Sequence, residues 1–380
     1  MTDSDTLARV LIAPDSFKGC LDAAGVARAL ALGIRRAAPH AAVTELPLAD
    51  GGEGTLDCLA LAHPSARRVH AAVVAVHGQP IDACWLRLDD QTAVIESAEV
   101  LGLPRVERSG PAVERRGSAS LAEMIRVALD AGCRRLFLAL GGSATNDCGI
   151  GLLQGLGLIC VDAQGRRVTP DLAGLLSVER VDARALDSRL AQAQMTVLCD
   201  VDNPLCGPAG ATAVYGRQKG LAEADARRVD EAFARFAALC NFNPAASVDA
   251  PGAGAAGGLG FALALLGARL DSGATRILEL CGFASQVHGA RLAVTGEGRA
   301  DGQTLHGKLP AAVARSSEAA GVPVALVAGG VDEQARPALS QRFAALESLT
   351  DAAGSAQSAM DEAPRWLEQA GAALAERFLR

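Results

Sequence analysis

The sequence predicts an α/β protein in two parts, and three observations carry that prediction. Short apolar runs alternate with helical patterns. The ends of several runs open into glycine-rich turns that also hold acids. The two chain ends read as plain βα units, while the middle mixes hairpins with helices. This texture puts residues 1–75 and 285–380 in one parallel-sheet domain, with a mixed α/β domain of residues 76–284 inserted into it.

Each element has a local reason. Val10–Pro14, "VLIAP", reads as a buried strand. Asp22 then caps a helix whose apolar stripe is Val26, Leu30, Ile34 and Ala37, with Arg28, Arg35 and Arg36 off the stripe. "AVTELPLA" (42–49) is a second strand and delivers the turn Asp50-Gly-Gly-Glu-Gly. From 68 to 98 short strands follow one another with turn breaks and no helical stripe, which predicts an antiparallel patch. Ser120 and Glu123 have capping-box spacing, for a helix through Leu121, Met124, Ile125, Ala128 and Leu129 that ends at Gly132. "RRLFLAL" (134–140) leads into "GGSATND", and further strands are expected at 195–200, 291–298 and 322–330. Pro364 opens a closing helix with Leu367, Gly371, Leu374 and Phe378 on one side. The uncharged stretch 250–268 has the length of a bilayer span, but its six glycines and one proline favour a glycine loop running into a buried helix.

Composition excludes several classes of function. A net charge of −7 over 380 residues offers no basic field for nucleic acid. With 3% aromatic residues, the core must be packed mainly from Ala, Leu and Val. Ten cysteines with no Cys-x-x-Cys read as reduced thiols, and six scattered histidines make no His-x-x-x-His pair for zinc. The N-terminal residues lack a basic start followed by an apolar run. The expectation is a cytoplasmic protein without membrane or nucleic-acid partners.

The chemistry is concentrated in "ADGGEG", "GGSATND" and "VTGEGRADG", each at a predicted strand end. In doubly wound sheets ligands bind outside the carboxyl ends of strands, and bare backbone amides there suit phosphate. Acids in the same turns suit Mg²⁺ or a substrate hydroxyl. Taken alone, a Gly-Gly turn beside an Asp is an ordinary turn; three at strand ends point to a ligand.

Two near-motifs are declined. "GAGAAG" (252–257) follows a proline, not a strand, and no acid closes a second strand about twenty residues on. "GQTLHGKL" (302–309) has Leu309 where a P-loop needs Ser or Thr, and leaves Lys308 as a free-standing cation for phosphate or carboxylate. Lys18, beside Asp15 and Ser16, lies just past a strand end. Asp200, Asp202 and Asn203 cluster at another strand end, where a metal pair and a turn opener both fit. Gln218 and Lys219 could meet a ligand or water, His306 could be a general acid or merely exposed, and Cys148 reads as packing.

Together, "IAPDSFKGCLDAAGVARALALG", "ADGGEGT", "GGSATND", "DVDNPLCGPAGATAVYGRQKG", "PGAGAAGG" and "TGEGRADGQTLHGK" strongly resemble the bacterial glycerate kinase family, of the type found in glycerate, glucarate and glyoxylate catabolism. The resemblance covers essentially the whole chain. It implies two α/β domains, one Rossmann-like (flavodoxin-like) and built from both chain ends, the second inserted, with the active site in a cleft between. It further implies ATP- and Mg²⁺-dependent phosphorylation of D-glycerate. Members are generally associated with 2-phosphoglycerate, although many are labelled 3-phosphoglycerate formers. A kinase for another small hydroxy acid and a non-catalytic sensor are the alternatives, and a homodimer is an open expectation. Departures are Cys148 where Gly is usual, Ser118-Ala119 in place of Thr-Gly, and the small residues Ala300 and Gly302.

The implied reaction needs cations for a carboxylate or γ-phosphate, an acceptor near a hydroxyl, and a metal on the phosphates. Lys18 and Arg299 are the expected anion-binding charges, and Asp50 and Asp200 the acids for the hydroxyl and the metal. Asp15, Ser16, Glu53, Asn203 and Lys308 are expected to contact substrate. Gly141, Gly142, Ser143, Thr145, Gly254 and Gly257 would line the nucleotide phosphates, and Glu297 and Asp301 would be further metal ligands.

Overall fold

The computed structural model describes residues 7–106, 110–305 and 307–380. They form two compact units, one of residues up to Asp50, 57–64 and 274–380, the other of 51–56 and 65–273. In chain order the strands are β1 (Arg9–Ile12), β2 (Ala42–Glu45), β3 (Arg67–Val74), β4 (Pro80–Arg87), β5 (Thr92–Glu96), β6 (Arg135–Ala139) and β7 (Ile159–Val161). They continue with β8 (Arg180–Asp182), β9 (Gln194–Leu198), β10 (Arg269–Asp271), β11 (Leu292–Ala300), β12 (Val324–Val331) and β13 (Ala345–Ser348).

In the first unit all neighbours in the sheet β13-β12-β11-β1-β2 are parallel. Counted along this unit alone, the order is 2-1-3-4-5, the flavodoxin-like winding, which reverses direction between β1 and β11. Their register sets Val10 against Leu292 and Ile12 against Val294. The sheet centre is buried because Val10–Ile12 of β1 and Leu292–Val294 of β11 are apolar and covered on both faces, with Thr295 and Glu297 buried further along β11. The helix Ala23–Ala37 is capped by Asp22, which accepts from the Gly25 amide at 2.6 Å, as the sequence predicts. It packs backbone to backbone on the closing helix Ala363–Phe378. A Cβ on Gly33 would stand 1.9 Å from the Glu368 carbonyl oxygen, and one on Gly371 2.3 Å from that of Leu30. Glycine is required at both positions by this approach.

The second unit has the sheet β10-β9-β6-β5-β4-β3, parallel from β10 to β5 and antiparallel from β5 to β3. The antiparallel patch therefore exists, but its last strand turns a parallel edge to β6. This sheet takes in β3, which the expected boundary at 75/76 assigns to the first domain. Trp85, Phe233, Phe236 and Phe261, all buried, are the largest side chains of its core. The capping box expected at Ser120 is not formed. The helix runs Ala119–Asp130 with Ser118 at its N-cap position, and the buried Ser120 hydroxyl has no hydrogen-bond partner. The Ser118 hydroxyl is itself drawn off to Asp147, at 2.8 Å. The uncharged stretch ends in the helix Ala255–Leu265, interrupted at its start by positive φ at Ala256, Gly257 and Gly258. Among the described residues, no helix is long and apolar enough to cross a membrane.

Candidate active site

Winding order dictates where the first unit can bind a ligand. At a reversal point the loops leaving two neighbouring strands turn to opposite faces and leave a crevice at their carboxyl ends. There the segment after β1 meets the end of β11, and a cavity of about 700 Å³ opens, lined by Asp15, Ser16, Lys18, Asp50, Glu297, Arg299 and Lys308 among others. Seven of the expected site residues thus come together, although paired residues of β1 and β11, such as Val10 and Leu292, are about 280 positions apart in the chain.

The acids of this cavity are strongly perturbed. Burial raises Asp15 to about 7, helped by the charge of Asp50 and, more weakly, of Glu297; the Ser16 amide, 2.6 Å away, and Lys18 act in the opposite direction. Glu297 is buried at the end of β11 and is raised to about 7, again chiefly by burial, with Asp301 and Asp50 adding to it. Its partners are the Thr304 hydroxyl, donating at 2.6 Å, and the Lys308 ammonium at 4.0 Å. Lys308 also stands 3.8 Å from Asp301, whose side chain accepts from the Gln303 amide at 2.8 Å. Lys308 occupies the N-cap position of the helix Leu309–Ala319, so the rejected P-loop resemblance leaves a lysine between two acids. Arg299 is exposed and lies 3.4 Å from Asp332. His306 lies outside the described residues.

Among the described residues, no group of three or more His, Cys, Asp or Glu is gathered so as to hold a metal ion unaided. Magnesium does not require one, since one or two carboxylates suffice when phosphates and waters complete the shell. The donors fit: Asp15, Asp50 and Glu297 offer hard oxygens only, and their mutual repulsion favours a cation.

In the second unit the expected residues gather at the carboxyl ends of β5, β6 and β9, but many serve the fold. The amides of Gly54 and Leu56 both donate to the buried carboxylate of Glu96, at 3.2 Å. The bare loop "GGEG" therefore wraps an acid of the protein itself, and Glu53 is exposed on it. Gly141 has no room for a side chain because the Gly52 Cα would lie 2.3 Å from its Cβ. Gly254 and Gly257 are likewise bare to admit backbone, the carbonyls of Pro204 at 2.3 Å and Thr145 at 2.2 Å. Gly142, exposed and at φ 73, is the member of this set least filled by protein, a Cβ there meeting only the Ala98 side chain at 3.8 Å. Ser143 and Thr145 are buried, and the Thr145 hydroxyl has no hydrogen-bond partner. Asn203 spends both ends of its amide on the loop, donating to Ala209 O at 2.8 Å and accepting from Tyr215 at 2.7 Å. Asp200, half-buried after β9, accepts from the Ser272 hydroxyl at 2.9 Å.

Two buried charges hold "GGSATND": Asp147, its own last residue, for which no role is expected from the sequence, and Lys219. Asp147 is fully buried and accepts from the Ser118 amide and hydroxyl, both at 2.8 Å, and from the amides of Gly149 at 3.1 Å and Gly151 at 3.3 Å. Lys219, read as facing ligand or water, is buried and donates to Thr145 O at 2.8 Å and Ser143 Oγ at 3.3 Å. Burial brings its ammonium down to about 8, against the pull of Asp147. Between them they hold the loop from below. Asp147→Asn turns an acceptor into a donor facing donors. The expected loss is about 2–3 kcal/mol of stability, read as a lowered urea midpoint at unchanged m-value. Cys148 adopts φ 54, backbone that favours glycine, which accounts for the Gly usual there in the resembling family.

A flavodoxin-like parallel sheet with acids and lysines lining a cavity at its reversal point, joined to a second α/β unit rich in strand-end glycine loops, suits an enzyme for small anionic substrates. Residues 10–379 match the model of the glycerate kinase family. The chain belongs to the glycerate kinase family, and with it to the ATP-dependent kinases. It is 40% identical over 367 residues to a glycerate kinase of Bacillus subtilis (strain 168), covering 95% of each chain. It is 39% identical over 330 residues to a glycerate 2-kinase of Escherichia coli (strain K12), covering 86% of each. A crystal structure from Salmonella typhimurium LT2, described as a candidate glycerate kinase 2, superposes with a TM-score of 0.82 at 35% identity over 98% of both chains.

Proposed function

We propose that the chain transfers the γ-phosphoryl group of ATP to a hydroxyl of D-glycerate, giving 2-phosphoglycerate, with the chemistry at the cavity of the first unit. The observation that carries this reading is the convergence of Asp15, Asp50 and Glu297 with Lys18 and Lys308 on the reversal point of the sheet. Phosphoryl transfer asks for positioned charge more than for covalent chemistry, and this cavity holds both signs.

Lys18 and Arg299 bind phosphate or carboxylate oxygens. Asp15 takes the proton of the attacking hydroxyl, because a group titrating near 7 is matched to that task. The hydroxyl oxygen then bonds to the γ-phosphorus as the bond to the β-phosphate oxygen breaks and ADP leaves. Glu297 is fixed by Thr304 and Lys308 and is suited to metal-holding, with Asp50 beside it. Bound magnesium would neutralise phosphate charge. The preference for 2-phosphoglycerate draws on the resemblance and on the glycerate 2-kinase among the relatives. ADP release across a panel of small hydroxy acids tests the substrate assignment. D-glycerate is expected to give the highest kcat/KM, and a clear preference for another acid would reject it.

A further inference from the structure

The cavity of the first unit is too large for a three-carbon acid. Seven heavy atoms fill about four waters' worth of space, roughly 120 Å³ at ~30 Å³ each. The cavity measures about 700 Å³, within the span used by ligands of drug size. Asp15, Lys18 and Glu297 lie where β1 and β11 end, while Asp50 follows β2, and Glu333 and Asp351 follow β12 and β13. Its apolar lining is formed by Phe17, Val331, Leu349, Ala359 and Met360, with the polar Glu333, Thr350 and Asp351 close to them in the chain. Met360 is half exposed, and of the large apolar side chains left open to solvent among the described residues (Leu7, Leu32, Leu61, Val74, Val214 and Met360) it alone lines this cavity. An open methionine beside a polar crevice has the flexible, polarisable surface that suits the face of a flat ring.

We propose that this apolar lining, with Met360 as its movable member, is the subsite for the nucleobase of the nucleotide, whose phosphates run from it toward Lys18 and Lys308. The inference rests on the kinase reading for its occupant. It moves the nucleotide from the second unit's glycines, where the sequence suggests it, to the first unit. Charge complementarity sets the direction: a metal-bound polyphosphate belongs beside Lys18 and Lys308, which leaves the apolar lining for the ring. Two features of the second unit agree with the move, since Gly254 and Gly257 are filled by the protein's own backbone.

Cys20 supplies a reporter. It lines the same cavity, half-buried, with its thiol on the Met360 carbonyl at 3.3 Å. Alkylation of the wild-type protein by iodoacetamide at alkaline pH, read residue by residue by mass spectrometry, is expected to slow at least fivefold at Cys20 under saturating MgADP. The half-buried Cys199 and Cys206 of the second unit serve as internal references. Met360→Asp places a carboxylate under the ring at an exposed position the fold tolerates, and is expected to weaken MgADP binding at least tenfold by calorimetry. Unchanged Cys20 alkylation in MgADP, or unchanged MgADP affinity in M360D, overturns the subsite. Phosphorylation of D-glycerate without Cys20 protection removes the subsite alone. Cys20 protection without that phosphorylation removes the activity reading and leaves the subsite standing.

Discussion

Lys18→Ala is expected to lower kcat/KM at least a hundredfold, about 2.7 kcal/mol of transition-state stabilisation. Lys18 is exposed and lines the cavity, so its loss removes charge at a solvent-facing position. The Tm of the variant should therefore match wild type while its turnover collapses. The same lysine holds Asp15 down, so its removal should also move the acid limb of the kcat/KM profile upward in pH. Near-native turnover in K18A would remove the residue from the chemistry.

Glu297→Gln is expected to act in opposite directions on activity and stability. Activity should fall at least a hundredfold, since a neutral amide no longer neutralises a bound cation. Stability at pH 8 should rise. The folded-state pKa of Glu297 is raised from 4.5 to about 7, so the native protein holds its proton more tightly than the unfolded chain does. That contribution to stability is complete below pH 4.5 and is lost as the pH climbs through 7, at a cost on the order of 3 kcal/mol above it. Glutamine abolishes the cost, so Tm should increase at pH 8 and change little at pH 4. Asp15, raised to about 7 by the same burial, gives wild-type stability the same sign of slope. Unaltered activity in E297Q, or a Tm that falls at pH 8 and not at pH 4, would contradict this account of the residue.

Much of the first unit was legible because its signals are local. The Asp22 cap, the apolar β1 and the stripe of the helix it precedes are each read within about twenty residues. The two-domain organisation was suggested by texture, but the pairing of β1 with β11 was not readable, and it is this pairing that creates the reversal point and its cavity. Spacing also misleads where a side chain has a distant partner. Ser120 and Glu123 have capping-box spacing, yet Ser118 gives its hydroxyl to Asp147, 29 residues away. The glycines show the same limit: "GGEG" looked bare for phosphate, while two amides in and just after it close on Glu96. Lys219 carried no sequence signal of burial, because a lysine between Gln218 and Gly220 looks like any surface turn.

The claim that matters most is that this chain places the γ-phosphoryl group of ATP on D-glycerate. One incubation with ATP, Mg²⁺ and D-glycerate, followed by proton-coupled ³¹P NMR, tests it directly. The expected spectrum shows a phosphomonoester split by the single C2 proton of 2-phosphoglycerate, absent from a parallel incubation of K18A. A spectrum holding only unreacted ATP, or ADP and inorganic phosphate with no phosphoglycerate, would contradict it.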